Sequence, residues 1–170
     1  MKTNKYATLF CGAMNIPDST EYIETVQIGE LLAQKGYIVK SGGYGGMMEA
    51  ISKGATEEGG KAIGFVFKAT TGNCYLSETV ECEHLYQRLQ FLIQESSLFI
   101  VQRGGIGTLS ELFLCLDIIR KIPKAERPRV ILVGEFWWNV MNVLKTELIP
   151  PKDYGLFTIV KDFKQFKGCL

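Results

Sequence analysis

Histidine is nearly missing from this chain: among 170 residues there is one, His84. A site built on two imidazoles is therefore excluded, and a single histidine on a predicted helix reads first as a structural residue. The five cysteines (Cys11, Cys74, Cys82, Cys115 and Cys169) are odd in number and contain no C-x-x-C pair. Such spacing fits neither a disulfide framework nor a zinc cluster. Reduced thiols in a cytoplasmic protein, with no metal, are the expectation. No stretch approaches the ~18 uninterrupted apolar residues of a membrane span. The opening MKTNKYATLFCGAMN also lacks a long apolar region followed by a cleavage pattern. Neither a membrane partner nor a targeting segment is expected. Charge of one sign is not in excess, since 19 basic and 18 acidic residues leave a formal +1. That balance argues against nucleic acid held on a general basic surface. The pattern G-x-x-x-x-G-K-[ST] is absent, which removes ATP hydrolysis of the Walker type.

What is present is ordinary globular material, 46% apolar and 22% charged, in a length that suits one domain over residues 1–170. Glycine departs from the average: 18 of 170 residues is about 11%, against ~7%. Apolar runs predict strands over 7–11, 37–40, 62–67, 98–101, 130–133 and 157–160. Helical spacing, with Asp18 and Ser19 as caps, predicts a helix to residue 34. Further helices are expected over 47–57, 81–95 and 136–147, with a turn and helix over 104–120. The aperiodic stretch 68–79 reads as a loop. Leu85, Leu89, Leu92 and Ile93 form the predicted buried stripe of one helix, and Leu109, Leu112, Phe113 and Leu116 that of the next. The alternation of strand and helix predicts an α/β fold, a single Rossmann-like doubly wound parallel sheet with helices on both faces. Ligands of such sheets sit beyond the carboxyl ends of the strands, where the strand order reverses.

Two strand-to-helix turns are near copies. Gly42-Gly43-Tyr44-Gly45-Gly46-Met47-Met48-Glu49 and Gly104-Gly105-Ile106-Gly107-Thr108-Leu109-Ser110-Glu111 both read G-G-x-G-x-x-x-E. Glycines there let a ligand approach the backbone closely, and the helix behind offers unpaired N–H groups and the positive end of its dipole. A phosphate seat is the expectation. Neither turn completes G-x-G-x-x-G, because Met48 and Ser110 take the third glycine's place. A nicotinamide dinucleotide is thereby disfavoured.

Glu111 shares a helix face with Thr108 and Gly107, so it reads either as a carboxylate facing the crevice beside the Thr108 hydroxyl or as a helix-N-terminal acid favoured by the dipole. Arg88 falls at the edge of its helix's apolar stripe. It reads either as a side chain snorkelling over the core or as a guanidinium reaching the crevice to recognise phosphate bidentately. Phe136, Trp137 and Trp138 form an aromatic cluster that suits a packed helix or a subunit seam.

The segment RLQFLIQESSLFIVQRGGIGTLSEL, Arg88 to Leu112, resembles the signature of the lonely guy family, an arginine followed by a strand and then P-G-G-x-G-T-x-x-E. FCGAMN and SGGYGGMMEAISKGATEEGG are similar to earlier parts of that family, so the likeness runs over about residues 7 to 145. Arg103 stands where the family has proline, Leu89 where it has lysine, Tyr86 where it has histidine, and Ser41 where the second turn has glycine. The resemblance implies hydrolysis of the N-glycosidic bond of a nucleoside 5′-monophosphate to free base and ribose 5-phosphate, without metal or redox cofactor. It implies Arg88 and Glu111 as catalytic residues. Gly12, Gly42, Gly43, Gly45, Gly46, Met47, Gly104, Gly105, Ile106, Gly107 and Thr108 are then the substrate- and phosphate-binding set. It also implies a homodimer. Relatives of the same fold that bind without cleaving, molybdenum-cofactor carriers among them, imply the alternative of a nucleotide- or cofactor-binding protein.

Overall fold

The computed structural model describes residues 4–13 and 17–170, so Met14 and Asn15 of the FCGAMN stretch lie outside the described residues. In chain order the elements are β1 (Lys5–Phe10), α1 (Thr20–Gln34), β2 (Tyr37–Ser41), α2 (Met47–Glu57), β3 (Lys61–Phe67), β4 (Glu78–Cys82), α3 (Leu85–Ile93) and β5 (Ser96–Val101). They continue with α4 (Ile106–Ile119), β6 (Arg129–Val133), α5 (Phe136–Glu147), β7 (Thr158–Val160) and α6 (Phe163–Cys169). Among the described residues the strands form one seven-stranded sheet in the order β4-β3-β2-β1-β5-β6-β7, with every neighbouring pair parallel. The chain winds outward from β1 to β4, then returns to the other side of β1 with β5. That reversal is the switch point of a doubly wound, Rossmann-like sheet.

Each face is covered because parallel strands bury both. Phe10, Phe99, Val101 and Leu132 point into a core closed by Leu92 of α3, by Leu112, Cys115 and Ile119 of α4, and by Trp137 and Met141 of α5. Ala7, Leu9, Val39 and Ile100 point the other way, onto Ile28 and Leu32 of α1, Met47 and Ile51 of α2, and Phe166 of α6. Trp137 is thus core, while Trp138 is exposed.

Four expectations are corrected. The stretch Glu78–Cys82, read as the end of a loop and the start of a helix, is the edge strand β4, and α3 begins only at Leu85. With one strand neighbour, β4 keeps charged residues on its solvated rim and shows no apolar run. The helix α6 at the carboxyl end of the chain was not expected; Asp162 caps it through the Gln165 N–H. On α3 the side turned to the sheet carries Arg88, Leu89 and Leu92, and Leu85 is 50% exposed. On α4 the buried side runs through Thr108, Leu112, Cys115, Leu116 and Ile119, leaving Phe113 exposed. His84 caps α3, its Nδ1 accepting from the Gln87 N–H at 3.2 Å, a structural role.

Candidate active site

At the switch point the loops after β1 and β5 run side by side. The Gly12 N–H donates to the Arg103 carbonyl at 2.9 Å and the Gln102 N–H to the Phe10 carbonyl at 3.0 Å. A Cβ on Gly12 would come within 3.3 Å of the Gly104 Cα. The next loop toward β2 is equally close: Gly46, at φ +66°, passes so near the Ala13 backbone that a Cβ would lie 2.6 Å from its carbonyl oxygen. Three loops therefore converge on one crevice at the carboxyl edge.

Three helices open onto that edge without a side-chain cap: α2 and α4, which follow the glycine turns, and α5, whose N-cap is Glu135. Gly46 is the N-cap of α2 and Gly105 that of α4, and neither supplies an acceptor. By contrast Ser19, His84 and Asp162 cap α1, α3 and α6 with side-chain bonds. The first-turn amides of α4, at Ile106, Gly107 and Thr108, thus have no capping side chain, beside the positive end of the dipole. Gly45, Gly105 and Gly107 face open space. This is the geometry of an anion seat.

Two members of the expected set sit differently. Met47 is fully buried in the core among α1 and α2 side chains, so only its backbone N–H is offered at the α2 terminus. Thr108 is buried beneath the turn, where it fills the space that a side chain on Gly104 would take. The side chain of Ile106 is 83% exposed, leaving its amide as the useful group.

Arg88 and Glu111 are brought together from α3 and α4. Arg88 Nη1 lies 3.6 Å from Glu111 Oε1, and both side chains are nearly buried. The Arg88 Nε donates to the Phe65 carbonyl at 2.7 Å, which ties the guanidinium to the end of β3. Its Nη2 fills the place where a Cβ on Gly42 would stand. That glycine is needed for close approach, and the arginine occupies the space it leaves. The guanidinium centre lies 5.7 Å from the Tyr44 ring and 5.5 Å from the Phe67 ring. With its Nε edge spent on a backbone carbonyl, Arg88 is not arranged as a bidentate phosphate clamp along that edge. It serves as counter-charge to Glu111.

Burial pushes the Glu111 carboxyl up to about 7 from its usual 4.5, and the Arg88 charge pulls against that shift. A carboxyl with this environment holds and releases a proton near neutral pH. Its counterpart in the other turn differs: Glu49 Oε1 accepts from the Tyr22 hydroxyl at 2.9 Å. Near-identical motifs thus end in different environments, because only α4 faces α3.

Three neighbours went unnoticed in the sequence. The Cys11 thiol, at the end of β1, is pushed well up by burial and by Glu111, with Arg88 opposing. Asn73 Nδ2 donates to the Gly43 and Tyr44 carbonyls at 3.2 and 3.0 Å, and its backbone N–H donates to Gly43 as well. The Tyr44 hydroxyl accepts from the Phe67 N–H at 2.8 Å. Tyr44 stood inside a glycine turn, which was the only available signal. Arg103, in the family's proline position, lays its guanidinium over the Phe136 ring at 4.3 Å. No group of three or more His, Cys, Asp or Glu able to hold a metal occurs among the described residues, and no described helix is long and apolar enough to cross a membrane.

Comparison with known proteins bears on the same segment. The chain matches the SLOG cluster4 family model over residues 7–136. It is 30% identical over 111 residues to the cytokinin riboside 5′-monophosphate phosphoribohydrolase of Mycobacterium tuberculosis, covering 62% of this chain and 58% of that protein. It is 30% identical over 109 residues to a probable enzyme of the same name from Oryza sativa, covering 61% of this chain and 44% of that protein. The chain thus spans about half the length of these curated relatives. Its fold is similar to that of the molybdenum cofactor binding protein of Rippkaea orientalis, with a TM-score of 0.79 at 20% identity over 99% of this chain and 96% of that one. From the family model over most of its length, and from the glycine turn, arginine and glutamate it carries, the chain belongs to the SLOG cluster4 family, within the lonely guy group.

Proposed function

We propose that the protein hydrolyses the N-glycosidic bond of a nucleoside 5′-monophosphate, releasing the free base and ribose 5-phosphate. The observation that carries this reading is Glu111: a buried carboxyl pushed up to about 7, held against Arg88, one turn inside the helix whose N-terminus is an open anion seat. The 5′-phosphate rests on the first-turn amides of α4, with Gly104, Gly105 and Gly107 allowing the approach. The sugar then extends toward Glu111. As the bond from C1′ to the base nitrogen breaks, positive charge develops on the ring, and the ionised Glu111 stabilises it. Glu111 also takes a proton from the attacking water, whose oxygen bonds to C1′, and passes that proton to the departing base nitrogen. One carboxyl poised near neutral pH can do both, so no second acid is required. Arg88 holds Glu111 in place and favours its ionised form.

The M. tuberculosis and O. sativa relatives carry that activity in their names. The carrier reading rests on likeness of fold to a cofactor-binding protein, and it gives Glu111 no task. In this reading the active form is a homodimer, supported by the apolar surface that α3 and α4 leave exposed at Leu85, Tyr86, Leu114 and Ile118.

Purified protein offered a panel of nucleoside 5′-monophosphates without added metal is expected to release base from at least one of them, and far more slowly from the matching nucleoside. Equal turnover of nucleotide and nucleoside would remove the phosphate seat from the mechanism. Because Glu111 acts ionised, kcat/KM is expected to rise about tenfold per pH unit below 7 and to level off above it. A rate independent of pH between 5 and 8 would show that no group of this kind limits the reaction.

A further inference from the structure

Tyr44 stands out because a flexible glycine turn has been made to present a fixed aromatic ring. Its carbonyl accepts from Asn73 Nδ2 at 3.0 Å. Its hydroxyl accepts from the Phe67 N–H at 2.8 Å and lies 3.1 Å from Thr70 Oγ1. The residue is held at both ends, yet it remains half-buried, as does Phe67 beside it. A ring immobilised before a ligand arrives loses little conformational entropy on binding.

Its place in the sheet order gives it a task. Along the carboxyl edge the strands run β5, β1, β2, β3. The anion seat of α4 lies behind β5, and the Arg88–Glu111 pair faces the loops after β1 and β2. Tyr44 and Phe67 stand at the ends of β2 and β3. With strands ~4.8 Å apart, two to three spacings, ~10–14 Å, separate the seat from the rings. That is the length of an extended nucleoside 5′-monophosphate. Phosphate, glycosidic carbon and base then meet, in order, an uncapped helix terminus, a carboxylate and an aromatic surface.

We infer that Tyr44, with Phe67, is the stacking surface for the leaving base; this rests on the phosphoribohydrolase reading above. Every base has a π-face, and the larger purine covers more of a fixed ring. The buried Arg88 guanidinium lies 5.7 Å from the Tyr44 ring and 5.5 Å from the Phe67 ring, a fixed cation that helps hold both rings in place. The bland role for Tyr44 is that of a staple, its hydroxyl merely closing the loop onto β3. The two roles separate cleanly, because phenylalanine keeps the ring and loses the staple.

Calorimetric titration of Tyr44→Ala and Tyr44→Phe with adenosine 5′-monophosphate, cytidine 5′-monophosphate and ribose 5-phosphate tests this. All titrations are made in a Glu111→Gln background so that no nucleotide is consumed, with thermal melts to verify folding. The alanine variant is expected to bind the adenine nucleotide ~10-fold or more weakly, the cytosine nucleotide less affected, and ribose 5-phosphate within about twofold. The phenylalanine variant is expected to stay within about threefold of the Tyr44 protein for all three ligands. Equal losses for nucleotides and ribose 5-phosphate, or a phenylalanine variant as poor as the alanine one, would overturn stacking in favour of the staple. If adenosine 5′-monophosphate binds, Tyr44→Ala weakens it and ribose 5-phosphate fails to bind, the stacking surface stands and the phosphate seat of α4 falls. If the Tyr44 protein binds none of the three, both fall.

Discussion

Glu111→Gln is expected to lower kcat for base release by at least ~100-fold, roughly 3 kcal/mol of transition-state stabilisation, while nucleotide affinity stays unchanged or improves. The amide keeps the size of the carboxyl and its reach toward Arg88 but can neither carry charge beside the developing cation nor move a proton. Binding is spared because the phosphate is held by α4 amides and a nearby carboxylate repels it. The same substitution has an opposite consequence for stability. Glu111 has a folded pKa near 7 against a usual value of 4.5, so the folded chain binds this proton more tightly than the unfolded one. Its contribution to stability is therefore fully present below about 4.5, falls as pH rises through the window from 4.5 to 7, and stays lost above it. Glutamine has no such loss. The variant is expected to melt several degrees above the unmodified protein at pH 8, a gain of up to about 3 kcal/mol, and at nearly the same temperature at pH 5. Measuring base release and melting on the same preparations checks both halves. A variant with full hydrolysis sinks the catalytic role, and one with no pH-dependent gain shows that Glu111 is not held at a cost.

Arg88→Ala is expected to reverse that pattern. Removing the guanidinium strips the Phe65 carbonyl of its 2.7 Å donor and leaves the nearly buried Glu111 without its counter-charge. Breaking such a pair costs about 3–5 kcal/mol when the remaining charge must stay buried and ionised. Glu111 escapes part of the penalty by keeping its proton, because loss of Arg88 removes the influence that held its pKa down. Destabilisation should therefore be larger at pH 8 than at pH 5.5, where the carboxyl is already protonated in the folded chain. By the same reasoning the pH at which base release levels off should move above 7, with kcat at neutral pH falling. Urea denaturation at the two pH values gives the stability difference, and a pH–rate profile gives the shift. Equal destabilisation at both pH values, with an unmoved profile, would show that the two side chains are neighbours without coupling.

These effects differ in how far they could be read from the chain alone. Periodicity and continuous apolar runs were sufficient for the central strands and for the winding, since a parallel strand buried on both faces leaves an unbroken apolar signature. The edge strand Glu78–Cys82 left none, because one side of it meets water. The two G-G-x-G-x-x-x-E turns were visible as motifs, because at Gly42, Gly46 and Gly104 the neighbouring chain leaves no room for a side chain. Their equivalence was an illusion of one dimension: Glu49 receives a tyrosine hydroxyl and Glu111 an arginine.

By itself the sequence determined the α/β class, the switch-point logic and the residues at which chemistry was to be sought, for these follow from local pattern and chain order. Tertiary structure alone decided which of those residues meet. It turned Arg88 inward onto the carbonyl of Phe65 and the bare face of Gly42, contacts 23 and 46 residues away along the chain. It buried Thr108, which helical spacing had placed beside Glu111, and Met47, which only the family resemblance had placed in the binding set. It also raised the proton affinity of Glu111, since desolvation depends on how α3, α4 and the sheet close together and on nothing within one helix.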